Sequence, residues 1–180
     1  MQLFSQNKSN KKRFIIAAII ILFIIIVSGC YEGHGLEPEP PAGEIRGQVE
    51  FVGQWPDSTR EVRVAVLKEY PVGISHTNIL KLFNFVQNNY VADSDTIPRG
   101  SQYYNYSLEL PPGEYAWILV VWFPDISNYF LGVKELGAYY EDPEQDYPSL
   151  VTINAGETVR GLDIRADFSN VYNEDPFFKK

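Results

Sequence analysis

From residue 43 onward the apolar positions recur every second residue. In residues 44–52, Ile45, Val49 and Phe51 share one face while Arg46, Gln48 and Glu50 point the other way. Gly47 falls on the apolar side, where a neighbouring chain can approach closely. Such alternation predicts a strand with one face on a core. Residues 61–67 repeat the pattern with the β-branched Val62, Val64 and Val66 inward, and the intervening GQWPDS reads as a turn. Residues 101–110 set Tyr104, Tyr106, Leu108 and Leu110 on one side. Residues 114–123 (EYAWILVVWF) are apolar on both faces, as strands in the middle of a fold are. Pro111-Pro112-Gly113 between these two runs predicts a hairpin. Strands are also expected at 149–153 and 158–168, separated by Asn154-Ala155-Gly156. In the last of them Leu162, Ile164, Ala166 and Phe168 alternate against Asp163, Arg165 and Asp167.

Two stretches break this rhythm. In 70–100, Ile79, Leu82, Phe83 and Val86 recur at i, i+3, i+4 and i+7, the stripe of a short amphipathic helix near 77–88, with Thr77 as its expected N-cap. The run 82–86 is also compatible with a strand. Residues 88–100 read as a loop, 124–148 as irregular, and the tail 170–180 as frayed. Seven or so short strands with regularly spaced turns predict an all-β fold, an antiparallel β-sandwich over 43–169 with one inserted helix.

The first 29 residues follow a different rule. Lys8, Lys11, Lys12 and Arg13 precede an unbroken apolar run over 14–27, and Val27-Ser28-Gly29-Cys30 closes it. A basic start, an apolar middle and small residues at a cut are the layout of an export signal. The run is short of the roughly 20 residues that a spanning helix needs. It is also apolar on every face, which a surface helix packed on a core is not. An uncleaved anchor and an ordinary signal peptide remain the competing readings. The four-residue end resembles the lipobox of bacterial lipoproteins. That resemblance implies recognition of Val27, Ser28 and Gly29 by a signal peptidase and acylation of Cys30, which becomes the mature N-terminus. Each buried methylene contributes about 0.8 kcal/mol, and stable anchoring takes more than one chain. The multiply acylated cysteine implied by the family meets that condition. Tyr31 follows it, where lipoproteins retained at the inner membrane of diderm bacteria typically carry Asp, so the outer membrane is the expected address. Residues 30–42, rich in Pro, Glu and Gly, read as a flexible tether.

Charge narrows the partners. Removing residues 1–29 takes four positive charges and no negative ones, so the net charge falls from -8 to -12. Such a surface argues against binding nucleic acid, which needs clustered Lys and Arg. Cys30 is the chain's one cysteine, so no disulfide and no thiolate metal site is expected. Among motifs, GEIRGQVEF, EVRVAVL, YSLELPPGEYAWILVVW and VTINAGETVRGLDIRADF, in that order, resemble the transthyretin-like (prealbumin-like) sandwiches, which include carboxypeptidase regulatory-like domains. The resemblance covers most of 43–168, apart from 70–100 and 124–148, which look like insertions or long loops. It implies a non-catalytic spacer, ligand-binding or assembly module.

Catalytic motifs are missing from the sequence. There is no Gly-x-Ser-x-Gly elbow, no His-Glu-x-x-His and no Gly-rich phosphate loop. His34 lies in the tether, and His76 beside Ser75 reads as the start of a loop rather than half of a triad. The acidic segments Asp93-Ser94-Asp95-Thr96 and Glu141–Asp146 offer hard oxygen ligands but lack the spacing of a calcium loop. Tyrosine is abundant, at 12 residues. Tyr129, Tyr139, Tyr140 and Tyr147 cluster in the irregular 129–147 stretch and are candidate ligand contacts, since tyrosine couples a stacking face to a hydroxyl. The sequence therefore predicts a non-enzymatic, lipid-anchored envelope protein, without cofactor or metal, that interacts with an envelope protein or polysaccharide. The alternative is a carbohydrate-binding or adhesive lipoprotein using that Tyr-rich loop.

Overall fold

The computed structural model describes residues 38–74, 78–127 and 132–173. The chain divides at Glu39/Pro40, and the fold is that of the part from Pro40 onward. It is mostly β, with one helix. The strands are β1 (Gly43–Val52), β2 (Thr59–Leu67), β3 (Tyr90–Asp93), β4 (Tyr103–Leu110), β5 (Gly113–Tyr115), β6 (Trp117–Pro124), β7 (Lys134–Ala138), β8 (Val151–Ile153), β9 (Thr158–Arg160) and β10 (Ile164–Asp167), with α1 (Ile79–Asn89) between β2 and β3. No helix among the described residues is long and apolar enough to cross a membrane.

Two four-stranded sheets share one core. The first has β1 in its centre, with β4 antiparallel on one side and β9 and β10 both parallel on the other. The second runs β3-β2-β6-β7, antiparallel throughout. Ile45, Val49, Val62, Val64, Ile118, Val120, Leu136 and Ile164 meet between them, fully buried. Each such side chain contributes about 1.5–3 kcal/mol by leaving water. The sheets approach at both sides, β4 beside β3 and β7 beside β10, which shields edges that would otherwise template pairing.

Local chemistry accounts for the element ends. Asn78, not Thr77, caps α1: its side chain accepts the Lys81 backbone N–H at 3.2 Å, the N3 position that an N-cap serves. Thr77 itself lies outside the described residues. At the far end of β1, Phe51, Trp55 and Phe168 cluster with ring centroids 4.7–5.6 Å apart, Phe51 stacked on Phe168 and Trp55 tilted against both, and the Trp55 indole N–H donates to the Ser101 carbonyl.

Several expectations change. The runs 101–110 and 114–123 do not form a hairpin. The β4 ladder is taken by β1 and the β6 ladder by β2 and β7, so Pro111-Pro112-Gly113 leads the chain out of the first sheet into β5. The second run is also two strands: β5 pairs with β8, then Ala116 donates to the Lys68 carbonyl and β6 begins. The last strand is likewise split, and its parallel pairing with β1 departs from an all-antiparallel sandwich. The 88–100 loop contains β3, and its Ile97 is buried in the core. The 124–148 stretch contains β7, an integral strand of the second sheet rather than an insertion. Residues 170–173 are packed, not frayed. The Asn170 amide donates to the Leu136 carbonyl, Lys134 Nζ donates to the Asn173 carbonyl, and Val171 lies against the core. Residues 174–180 lie outside the described part.

Candidate functional site

The second sheet is apolar on its outer face too. Ala65, Leu67, Trp117, Leu119, Val121 and Ala138 point away from the main core and are buried by a second layer: Leu82, Phe85 and Val86 of α1, with Tyr70, Phe123, Val133 and Tyr140. Between α1 and this face is a cavity of about 280 Å³. Its walls are almost wholly apolar, and Arg63, Tyr90 and Asp93 stand among its lining residues. Arg63 is committed to Glu61 at 3.0 Å and Asp93 at 3.1 Å. Phe83, expected on the buried stripe, is 44% exposed at the cavity lining.

One acid interrupts this layer. Glu135 of β7 is opposite Val121 on β6 and only 7% exposed. Burial pushes its carboxyl up to about 7, against a smaller opposing effect of the Trp117 indole N–H. Its Oε2 has no hydrogen-bond partner among the described residues. Around it stand aromatic groups. Tyr70 meets Trp117 edge-on at 5.3 Å and Tyr147 at 5.6 Å. Burial raises the Tyr70 and Tyr140 phenols well above the usual range, with the Glu135 charge acting in the same direction. Nothing in the sequence singled out Glu135, because a single acid in a five-residue strand leaves no periodicity to read.

The candidate tyrosines separate. Tyr139 packs against the main core and donates its N–H to the Ile118 carbonyl, whereas Tyr140 packs against the outer layer. Consecutive residues of an extended chain face opposite ways, so the two cannot share one surface. Tyr147 is 56% exposed. Tyr129 lies outside the described residues, as do Val27, Ser28, Gly29, Cys30, His34 and His76. The loop holding Tyr140 and Tyr147 is closed by buried Ser149, whose Oγ accepts the Glu141 N–H at 2.8 Å and the Gln145 amide at 2.5 Å.

In the acidic segments several side-chain oxygens have protein partners. Asp93 meets Arg63; the Ser94 hydroxyl accepts the Val64 N–H and donates to the Asp95 carbonyl; Thr96 donates to Glu61. Asp142 accepts the Glu144 N–H in a local turn. Among the described residues no group of three or more His, Cys, Asp or Glu is arranged to hold a metal.

The first sheet is different. Its outer face is polar and open, and a depression of about 450 Å³ crosses it where β9 gives way to β10. Gly161 at that break has φ +78°, a conformation only glycine adopts without strain. Leu162 then turns into the core, its N–H reaching the Arg46 carbonyl and its own carbonyl accepting the Tyr106 hydroxyl at 2.5 Å. That carbonyl lies directly over Gly47, where any Cβ would collide with it. The close approach expected at Gly47 is therefore the approach of Leu162. Burial raises the Tyr106 phenol, so it stays a neutral donor.

No protein-family model, curated protein or solved structure matches this chain.

Proposed function

We propose that this protein is a lipid-anchored bacterial envelope lipoprotein whose body is a non-enzymatic binding or structural module. The observation that carries the reading is Cys30. It stands at the end of a basic-then-apolar leader, behind Val27-Ser28-Gly29, and ahead of a Pro- and Glu-rich tether. The tether joins the body where Pro41 accepts the Gly156 N–H and Glu44 donates to the Glu157 carbonyl. Twelve extended residues between lipid and body span at most about 40 Å, so the module works close to its membrane. Tyr31 supports the outer membrane as that membrane. The acidic mature surface supports a protein or polysaccharide partner over nucleic acid.

Within this proposal the body is a transthyretin-like sandwich. The order of the IRGQV, LPPGEY and INAGETVRGLDI motifs supports it, as does a core enclosed by two sheets. The test of the anchor is metabolic labelling with a fatty-acid analogue. The wild-type chain is expected to carry label and to fractionate with membranes, and Cys30→Ala is expected to do neither. An unlabelled wild-type protein would overturn the reading.

A further inference from the structure

We propose that the depression on the open face of the first sheet is a binding site for an acidic saccharide, a sugar chain carrying carboxylates. This deepens the binding-module part of the proposed function and is independent of the anchor. The site exists because the strand pair is interrupted. Between β9 and β10 the ladder to β1 lapses, and Asp163 Oδ1 takes the Gln48 N–H at 2.8 Å in its place. Beside this break the open face carries a shallow depression of about 450 Å³.

The lining carries two arginines and one acid, Asp163, whose Oδ1 is held by the Gln48 N–H, and the arginines point to a carboxylate. Arg46 and Arg160 are direct partners on parallel neighbouring strands, so both guanidiniums project from the same face at the same level. Like charges so placed repel. Arg46 is neutralised by Glu44 at 2.8 Å, which also accepts from Ser107. Arg160 has no ion pair among the described residues. An incoming carboxylate would be met by its planar fork of donors, the geometry that guanidinium supplies and ammonium does not.

Beside the arginines are groups suited to hydroxyls. Gln48 and Asn105 face each other across β1 and β4, joined by one bond from Gln48 Nε2 to Asn105 Oδ1 at 3.0 Å. That bond leaves Gln48 Oε1 free to accept and Asn105 Nδ2 free to donate, an acceptor and a donor side by side for vicinal hydroxyls. Two residues along β4 on the same face, Tyr103 is 51% exposed and offers a ring face for a sugar to stack on. An acidic body with a local guanidinium selects a ligand by short-range geometry, because long-range attraction of an anion is absent.

The full-length protein in detergent, titrated calorimetrically with trimers of galacturonate, glucuronate and mannuronate, tests this. Saturable binding of at least one trimer is expected, and its neutral counterpart is expected to bind at least about tenfold more weakly, the worth of a charge-assisted bond. Arg160→Gln and Asn105→Ala are each expected to weaken binding by about tenfold while the urea midpoint stays put. Cys30→Ala is expected to bind as the wild type does, which separates this site from the anchor. No saturable binding by any trimer, equal binding of the neutral sugars, or unchanged affinity in both variants would overturn the proposal.

Discussion

The two sheets of this protein treat their outer faces in opposite ways. The face of β2 and β6 is covered by α1 and the Tyr140–Tyr147 loop, and it is apolar from Leu67 to Val121. The face of β1 and β4 is bare and carries Arg46, Gln48, Asn105 and Ser107. Both sheets use the same inner core, and the second layer adds a separate apolar cluster on one outer face. What the difference teaches is a division of labour: one outer face is spent on packing, and the other keeps its hydrogen-bonding groups open to solvent. Glu135 is the exception that marks the covered face, a buried carboxyl close to Trp117, Tyr70 and Tyr140.

That contrast can be broken most severely from the covered side. Trp117→Ala removes an indole 1% exposed from beneath Tyr70. Unfolding in urea is expected to show a loss of about 3–5 kcal/mol, as for other large-to-small core changes. A loss below 1 kcal/mol would mean that the second layer is not packed as a core.

Next in size is the pH dependence set by Glu135. Its carboxyl, about 7 in the folded state against an ordinary value of 4.5, binds more protons folded than unfolded between those limits. Stability from this group is therefore full below about pH 4.5 and is lost as pH rises through about 7, a change of about 3 kcal/mol. Urea midpoints measured from pH 5 to pH 8 should fall in the wild type, and Glu135→Gln should flatten that fall. Parallel profiles for the two proteins would remove Glu135 as the cause.

The open face has one packing constraint beneath it. Gly47→Ala puts a methyl into the Leu162 carbonyl, and β10 must move away from β1. A destabilisation of about 1–3 kcal/mol is expected, the range for overpacking. The smallest effect is at the helix that makes the two faces differ. Asn78→Ala removes the side-chain acceptor of α1 and should cost about 1 kcal/mol, read as faster amide exchange within 79–89 before any global change.

Much of the first sheet was legible because its strands alternate. Ile45, Val49 and Phe51 against Arg46, Gln48 and Glu50 give the core face of β1 directly, and Tyr106, Leu108 and Leu110 do the same for β4. The second sheet was harder for a physical reason. A strand covered on both faces, such as β6, has no polar period to mark its inward side, and β7 carries Glu135 and Gly137 within five residues. The open-face groove left little trace as well. Arg46 and Arg160 are 114 residues apart, and only the register of β9 on β1 makes them neighbours. Of the tyrosines singled out at 139 and 140, adjacency in sequence placed them on opposite sides of one strand end.

By itself, then, the sequence determined some local facts: that β1, β2 and β4 extend with one face inward, that a short helix follows β2, and that a neighbouring chain approaches closely at Gly47. Those depend on side-chain shape and on neighbours within a few residues. Only the tertiary structure decided partnership. It sent the chain after Pro111-Pro112 into β5 and a pairing with β8 instead of into a β4–β6 hairpin, laid β9 and β10 parallel to β1, and buried Glu135 among aromatic rings. These outcomes are set by which surfaces exclude water together, a property of the assembled chain that no local window contains.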